Sequence, residues 1–284
     1  MIWRCRDFAF DTSEHPLVAG IVNVTPDSFS GDGAVDPVAA VRLAESHFAA
    51  GADFVDVGGE STRPGGAEPV DAETEMARVV PVVRALARKG AAVSVDTRNA
   101  ETALAALEAG AAIVNDVCDT AEGDPVAAAA AKHGAGFVAT WSCGAVPARR
   151  PEGRGDPETA VSRARAALGR MAAFARACGV RGDSVACDPG IGFGKSVEED
   201  VALLRAGGAV APGLPAMFGV SRKSVLGALC GESDPRKRVG AGAAAALWAA
   251  ENGAAILRVH DVRETVQALK IRAVLEGRSW KWTR

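Results

Sequence analysis

The sequence has neither a marked charge imbalance nor a long apolar run. Its 284 residues include 32 basic and 35 acidic side chains, a formal charge of −3, with the basic residues scattered along the chain. A dedicated nucleic-acid binder carries a concentrated basic surface, so that class is excluded. No stretch free of charge and glycine reaches the roughly 18 residues that a membrane span needs. We therefore expect neither a nucleic-acid nor a membrane partner.

Paired cysteines and a secretory signal are also missing. The six cysteines are widely spaced without a C-x-x-C pair, and residues Met1–Asp7 contain no apolar core. This pattern favours reduced thiols, and we expect a cytoplasmic protein. The composition, 48% hydrophobic and 24% charged, is that of an ordinary globular protein. Because no Pro/Ser-rich linker interrupts the chain, we expect one domain over residues 1–284.

The chain does contain a regular alternation of short apolar runs with alanine-rich amphipathic segments. The apolar runs are typical of buried parallel strands. The predicted strands are Val18–Val24, Asp53–Val57, Ala91–Val95, Ala112–Asn115, Gly136–Thr140, Ser184–Cys187, Ala216–Gly219 and Ile256–Val259. Eight β/α units predict a single (β/α)8 TIM barrel of the α/β class, with a doubly wound sheet as the alternative.

Capping residues mark the helices between these strands. Helices are predicted to begin near Asp36, Asp71, Asn99, Asp124, Asp156, Val197, Ser224, Asp234 and Asp261. Most of these are Asp or Asn, which favour N-caps. Helices are predicted to end at Gly51, Gly90, Gly110, Gly134 and Gly179, because glycine accepts the left-handed conformation of a C-cap.

Polar residues are concentrated just after the predicted strands, whereas the opposite strand ends are mostly Ala, Gly and Val. These polar segments are Asn23–Ser30, Gly58–Gly65, Asp96–Thr97, Asn115–Asp116, Asp188–Lys195, Ser221–Ser224 and Arg258–Asp261. In a barrel the loops after the strands converge on one open face, where chemistry takes place. The asymmetry predicts an active site at that face.

In order, the strings NVTPDSFS, GGESTRPG, SVDT, ND, DPGIGFGK, SRKS and RVHD resemble the dihydropteroate synthases, pterin-binding barrel enzymes of folate synthesis. They occupy seven of the eight strand-end loops. The fifth loop departs from the family pattern: a Met-His-Met stretch is common there, but this chain has Thr140-Trp141-Ser142-Cys143-Gly144. The loop after the first strand, around Gly31-Asp32-Gly33, also looks short.

The resemblance implies a pterin site. A carboxylate buried at a strand end costs several kcal/mol unless hydrogen-bond donors reach it, so Asp96 and Asp188 need donors. By the family pattern, the amino-pyrimidinone edge of a pterin supplies them to Asp188, while Asp96 and Asn115 meet the other ring nitrogens. An asparagine can donate and accept at once. The alternative for Asp96 is a cap on the following helix.

The resemblance also implies a diphosphate site. Arg63, Arg258 and His260 come from three loops that converge on one rim, and a guanidinium can hold two phosphate oxygens. In the family pattern Asn23 lies beside the diphosphate and helps hold Mg²⁺, an ion that prefers oxygen ligands. Since the sequence has no metal-spaced cluster of carboxylates or histidines, the diphosphate would supply most ligands. We expect the loops carrying Asn23 and Arg63 to close over it.

A site for 4-aminobenzoate completes the implied set. Lys223 begins a helix and is expected to contact both the pterin and the benzoate carboxylate, with Ser224 and the helix amides completing that carboxylate site. Phe193 would offer an apolar face, or simply belong to the core. Thr62 and Pro64 are further walls by resemblance. Arg222 is expected to be structural, pairing with a carboxylate or supporting Phe193.

The implied reaction is attack of the 4-aminobenzoate amine on the methylene carbon of dihydropterin-methyl diphosphate, which gives 7,8-dihydropteroate and diphosphate. Asn23, Arg63, Asp96, Lys223, Arg258 and His260 are the predicted catalytic residues. A homodimer is expected from the family, through the Ala-rich helices around Ala241–Ala250. Two alternatives stay open: a pterin-binding paralogue that is altered or non-catalytic, motivated by Trp141, and a methyltetrahydrofolate-dependent methyltransferase.

Two patterns could be mistaken for a cofactor site or a nucleophile. The glycines of the string GIGFG lack the helix-side glycine of a dinucleotide fingerprint, so a nicotinamide cofactor is not expected. Cys143 and Cys187 have no histidine partner in the motifs and are expected to be buried structural residues.

Overall fold

The computed structural model describes residues 1–25, 36–60, 70–118, 125–143 and 155–278 of the chain. Within these ranges, parallel strands form a ring that helices surround. The strands are β1 (Ile2–Cys5), β2 (Phe8–Asp11), β3 (Leu17–Asn23), β4 (Phe54–Gly58), β5 (Val93–Asp96), β6 (Ile113–Cys118), β7 (Gly136–Trp141), β8 (Val185–Asp188), β9 (Met217–Gly219) and β10 (Ile256–Val259).

The ring consists of strands β3 to β10. Neighbours pair in the order β8-β7-β6-β5-β4-β3-β10-β9, and all of these pairs are parallel. A parallel bridge between Cys187 and Ala216 joins β8 to β9 and closes the ring. The predicted α/β barrel is therefore confirmed, and the doubly wound sheet is wrong. The strand bounds agree with the prediction to within two residues, except that β6 runs on to Cys118.

The described helices lie outside the ring. They are α1 (Pro37–Ala50), α2 (Ala72–Ala87), α3 (Ala100–Ala109), α4 (Pro125–Lys132), α5 (Pro157–Ala177), α6 (Val197–Ala206), α7 (Ser224–Cys230), α8 (Val239–Glu251) and α9 (Val262–Leu275). The side chains of Asp36, Asp71 and Asp156 accept backbone amides at the starts of α1, α2 and α5, as the sequence indicates. All five predicted terminal glycines have positive φ. The start predicted at Asp124 falls outside the described residues.

Burial explains why the barrel strands are apolar. The strands β3, β4, β7 and β8 are buried almost throughout, because one face meets the barrel interior and the other meets the helices. Most of the core lies between strands and helices. A second apolar cluster fills the barrel at the amino ends of the strands. The polar strand ends are thus left at the opposite face.

The hairpin of β1 and β2 closes the amino end of the barrel, and the sequence patterns did not predict it. Trp3 is fully buried in the second cluster, its indole nitrogen donates to the carbonyl of Ser184 at 3.0 Å, and its ring lies 6.0 Å from that of Phe54. Cys5 packs against Gly136, where a Cβ would come within 2.4 Å of the sulfur. The hairpin therefore covers the amino end of the barrel interior, and the polar strand ends lie at the opposite face.

The helices and the cysteines bear on the predictions about membrane insertion and disulfides. Among the described residues, no helix combines the length and the apolar content that a bilayer crossing requires. The cysteines whose side chains are described are unpaired thiols. Burial raises the pKa of Cys187 to about 12, which keeps the thiol protonated and unsuited to nucleophilic attack.

Candidate active site

Six of the predicted residues line one cavity at the carboxyl face of the barrel. They are Asp96, Asn115, Asp188, Phe193, Lys223 and Arg258, and they surround about 280 Å³ of space that is open to solvent. Asn115 lies within β6, and the other five come from the end of a barrel strand or from the loop after it. Strand register places Asn23, Gly58, Asp96 and Asn115 side by side on consecutive strands.

Arg258 lies at the base of the cavity between two carboxylates. Its Nε donates to Oδ2 of Asp56 at 2.5 Å, and its Nη2 donates to Oδ2 of Asp96. Burial by itself disfavours the guanidinium, but the attraction of Asp56 and Asp96 outweighs burial and raises the pKa of Arg258. Since Nη1 donates to no described residue, that edge of the guanidinium is available to an oxygen of a ligand.

Asp96 combines burial with a charged environment. Burial raises the pKa of Asp96 to about 7; Arg258 opposes this increase, while the carboxylates of Asp56 and Glu75 add to it. The carboxyl group therefore changes its charge close to neutral pH. A ligand that brings N–H donors or positive charge would favour the ionised form.

Asp56 is a site residue that the sequence motifs did not reveal. It lies in the middle of β4 and is 1% exposed. Besides Arg258, its Oδ2 accepts a hydrogen bond from Nδ2 of Asn115 at 3.0 Å, and Oδ1 of Asn115 accepts one from Thr140 at 3.1 Å. A carboxylate inside an otherwise apolar strand was the available signal, because a charge is buried only where it is paired.

Asp188 is the second buried carboxylate of the cavity. It is 4% exposed, and its Oδ1 accepts the amide of Gly190 at 2.7 Å. Its Oδ2 has no hydrogen-bond partner among the described residues. Burial raises the pKa of Asp188, and the Gly190 amide, Lys223 and Arg258 oppose that increase. Oδ2 is thus a ready acceptor for a ligand N–H group.

Lys223 approaches the cavity from the loop after β9. Its ammonium lies 4.1 Å above the centre of the Phe193 ring, a cation–π distance. Burial and the nearby Arg258 lower the pKa of Lys223 to about 8. The preceding residue, Arg222, has a left-handed backbone with φ of 59° and forms a two-point ion pair with Asp261. The structural role predicted for Arg222 agrees with this pairing.

The loop after β8 is fixed by a buried lysine. Lys195 is 1% exposed, and its ammonium donates to the carbonyls of Trp141, Gly190 and Phe193 at 2.9–3.1 Å. The same ammonium lies 4.2 Å from the centre of the Trp141 ring. Trp141 does not line the cavity. The aromatic side chain of the departing fifth loop therefore packs under the β8 loop.

Two glycines allow the β8 loop to lie directly against β7 and the residues after it. A Cβ at Gly190 would be 1.9 Å from the carbonyl oxygen of Trp141, and one at Gly194 would be 1.9 Å from that of Cys143. Both glycines also have positive φ. Only glycine meets both conditions, which accounts for this part of the GIGFG string.

The remaining predicted residues have different positions. Thr62, Arg63 and Pro64 lie outside the described residues, as do most of the two loops expected to close. Ser224 is the exposed first residue of α7, and the His260 amide and ring lie 3.3 Å from the Ser221 hydroxyl; neither residue lines the cavity. Their roles stay predictions.

A barrel with buried carboxylates and cations around one cavity defines an enzyme that binds a small nitrogen-rich ligand. The chain matches the pterin binding enzymes over residues 19–260, and it belongs to that family.

Its relatives carry a more particular name. The chain is 42% identical over 262 residues to the dihydropteroate synthase of Mycobacterium leprae, with 89% of this chain and 91% of that protein covered. It is similar to the solved dihydropteroate synthase from Yersinia pestis in a sulfonamide drug complex, with a TM-score of 0.87, 37% identity, and 98% of this chain and 100% of that chain covered. It is also similar to the one from Burkholderia cenocepacia complexed with 7,8-dihydropteroate, with a TM-score of 0.85, 38% identity, and 97% of this chain and 96% of that chain covered. The resemblance is confirmed, and these relatives do not favour a methyltransferase.

Proposed function

We propose that this protein is a dihydropteroate synthase, a transferase that joins (7,8-dihydropterin-6-yl)methyl diphosphate to 4-aminobenzoate. The amine nitrogen forms a bond to the methylene carbon, the bond from that carbon to the diphosphate oxygen breaks, and the amine proton passes to solvent. The observation that carries the proposal is the cavity in which carboxylates, an amide and two cations face one another. The similarity to dihydropteroate synthases supports it.

The pterin would occupy the base of the cavity. The open Oδ2 of Asp188 suits the adjacent N–H groups of the amino-pyrimidinone edge, and Asn115 suits an edge that both donates and accepts. Asp96 would lie beside the ring. As diphosphate leaves, positive charge develops on the methylene carbon and ring, and the carboxylates of Asp96 and Asp188 stabilise that charge.

The diphosphate would be held by cations at the rim. Two nitrogens of Arg258 are occupied by carboxylates, so we assign Nη1 to an oxygen of the leaving group, with Arg63 and His260 as further partners. Positioning the leaving group beside fixed donors lowers the barrier without an acid or base of high strength.

4-Aminobenzoate would lie toward the outside. Phe193 offers its ring to the benzoate, and Lys223 lies directly over that ring, where its ammonium can meet both the pterin and the carboxylate. Ser224, Thr62 and Pro64 are assigned to the same site from the family pattern. This placement of the two substrates aligns the amine with the methylene carbon.

Mg²⁺ fits this site as a companion of the diphosphate. Among the described residues, no group of three or more His, Cys, Asp or Glu side chains could hold a metal. Oδ1 of Asn23 and Oδ2 of Asp96 lie on two sides of Gly58, both within 4 Å of where a Cβ would stand. We assign Asn23 as the protein ligand, with phosphate oxygens and waters as the others. The ion would neutralise charge on the leaving group.

We also propose a homodimer in the cytoplasm. Large apolar side chains are exposed on neighbouring helices α7, α8 and α9: Leu229, Trp248, Ile271, Val274 and Leu275. An exposed apolar patch of this kind suits a subunit interface. The free thiols suit a reducing compartment. Light scattering after gel filtration should give twice the chain mass of 29.0 kDa, and Trp248→Glu should lower it.

The decisive experiment measures diphosphate release from dihydropterin-methyl diphosphate with 4-aminobenzoate and Mg²⁺. Arg63→Ala and Lys223→Ala should each lower kcat/KM by about 100-fold or more. The exposed residues Arg205 and Lys237 provide matched controls, as alanine variants that should retain activity. If the parent protein binds the pterin but releases no diphosphate, the non-catalytic paralogue becomes the better account.

A further inference from the structure

Asp56 contacts two residues of the cavity without lining the cavity itself. Its buried Oδ2 accepts from Nε of Arg258 at 2.5 Å and from Nδ2 of Asn115 at 3.0 Å. Both partners lie on other strands, β10 and β6, and both face the empty space. One carboxylate oxygen thus joins two sides of the barrel beneath the position assigned to the pterin.

Thr140 holds the other end of the Asn115 amide. Its hydroxyl donates to Oδ1 of Asn115 at 3.1 Å, while Nδ2 points to Asp56. Rotation of the amide by half a turn would bring its oxygen against the Asp56 carboxylate, which is electrostatically unfavourable. The orientation of the amide is therefore determined from both ends. Thr140 belongs to the stretch in which this chain departs from the family pattern.

We propose that Asp56 is a positioning residue of the pterin site. It holds Arg258 and fixes the amide of Asn115, so that the free N–H and the lone pair of that amide meet the pterin edge. Thr140 holds the oxygen end of the same amide. The inference rests on the proposed function, because it assigns these contacts to a pterin. Asp56 does not touch the substrate.

Asparagine cannot replace Asp56 in this role. Its single acceptor oxygen could still meet Arg258 and Asn115, but the amide nitrogen would then stand where Asp56 Oδ1 has no hydrogen-bond partner within the described part of the chain. Turned the other way, the amide nitrogen would face the donors of Arg258 and Asn115. In either orientation the charge that holds the guanidinium is lost.

The test compares Asp56→Asn with Asp53→Asn. Asp53 lies just before the same strand, and its Oδ2 accepts the amide of Val18 at 2.7 Å near the amino end of the barrel. This control therefore tests the loss of a partly buried carboxylate away from the cavity. We expect Asp56→Asn to raise KM for dihydropterin-methyl diphosphate by about 10- to 100-fold. KM for 4-aminobenzoate at saturating pterin, and both KM values in Asp53→Asn, should change less than about threefold.

Thr140 supplies a second, milder test. Thr140→Val keeps the shape but removes the hydroxyl and should raise the pterin KM by about 3- to 10-fold. Thr140→Ser should restore most of this loss. Thermal unfolding of every variant reports the folded fraction, which a purely structural defect would lower together with kcat.

The proposal is overturned if Asp56→Asn leaves the pterin KM unchanged, or if the KM values of both substrates rise equally. Should the parent protein show no turnover, the proposed function fails, and calorimetric titration with dihydropterin-methyl diphosphate decides the role of Asp56. Binding that is about 10- to 100-fold weaker in Asp56→Asn supports the role. Equal affinity, or no binding by the parent, overturns it.

Discussion

Replacing Lys195 by methionine tests how the wall of the benzoate site is supported. Methionine fills a similar volume but cannot donate, so the carbonyls of Trp141, Gly190 and Phe193 lose their common donor. The carbonyls of Gly190 and Phe193 keep the amide donors of Phe193 and Cys143, so the cost falls mainly on Trp141. A buried carbonyl left unpaired costs about 1–3 kcal/mol. Removing the ammonium, whose pKa burial lowers to about 8, returns part of that cost. We expect a net loss of about 1–2 kcal/mol in the free energy of unfolding.

Urea unfolding at pH 7 measures this loss, and steady-state kinetics measure its effect on the site. Because the loop that carries Phe193 loses one of its supports, KM for 4-aminobenzoate should rise by about tenfold, more than KM for the pterin. Lys89→Met is the matched control: Lys89 forms an exposed ion pair with Glu45, whose loss should cost less than about 1 kcal/mol. A Lys195→Met protein as stable as this control, with an unchanged benzoate KM, would refute the reasoning.

Three further predictions concern charge, backbone and packing. As the pH falls through about 7, Asp96 is protonated, and kcat/KM for the pterin should decline. As the pH rises through about 8, Lys223 loses its proton, and the affinity for 4-aminobenzoate should decline. A flat profile from about pH 6 to 9 contradicts both assignments. Gly190→Ala should cost at least about 2 kcal/mol in urea unfolding, whereas Gly213→Ala, with a similar positive φ but open space around it, should cost only about 1. Trp3→Ala should cost about 3–5 kcal/mol while leaving both KM values unchanged, and altered KM values would argue against a site confined to the opposite end.

The barrel could be predicted because its strands are buried on both faces. Such strands appear as continuous apolar runs, and the polar residues that follow them mark the carboxyl face. The hairpin of β1 and β2 could not be predicted in the same way, because its two strands have four residues each and alternate less exposed with more exposed positions. An alternation over only four residues is weak evidence for a strand.

The candidate site was predicted where polar residues follow a strand, and missed where they lie inside the fold. Asp56 stands within an apolar run, and its partners lie 59 and 202 residues away. Lys195 was recognised only as the last letter of a string, although it binds three carbonyls. In both cases the role depends on which strands and loops meet, which strand register and tertiary packing determine.

The contacts at Gly190 and Gly194 limit how this site can change under selection by an inhibitor. Gly190 faces the carbonyl oxygen of Trp141 in β7, and Gly194 faces that of Cys143 just after β7. At these distances any other residue would force two main chains apart. A single point mutation at either glycine would displace the loop that carries Phe193. An inhibitor anchored to this stretch of main chain, rather than to exchangeable side chains, would leave the protein few routes to resistance.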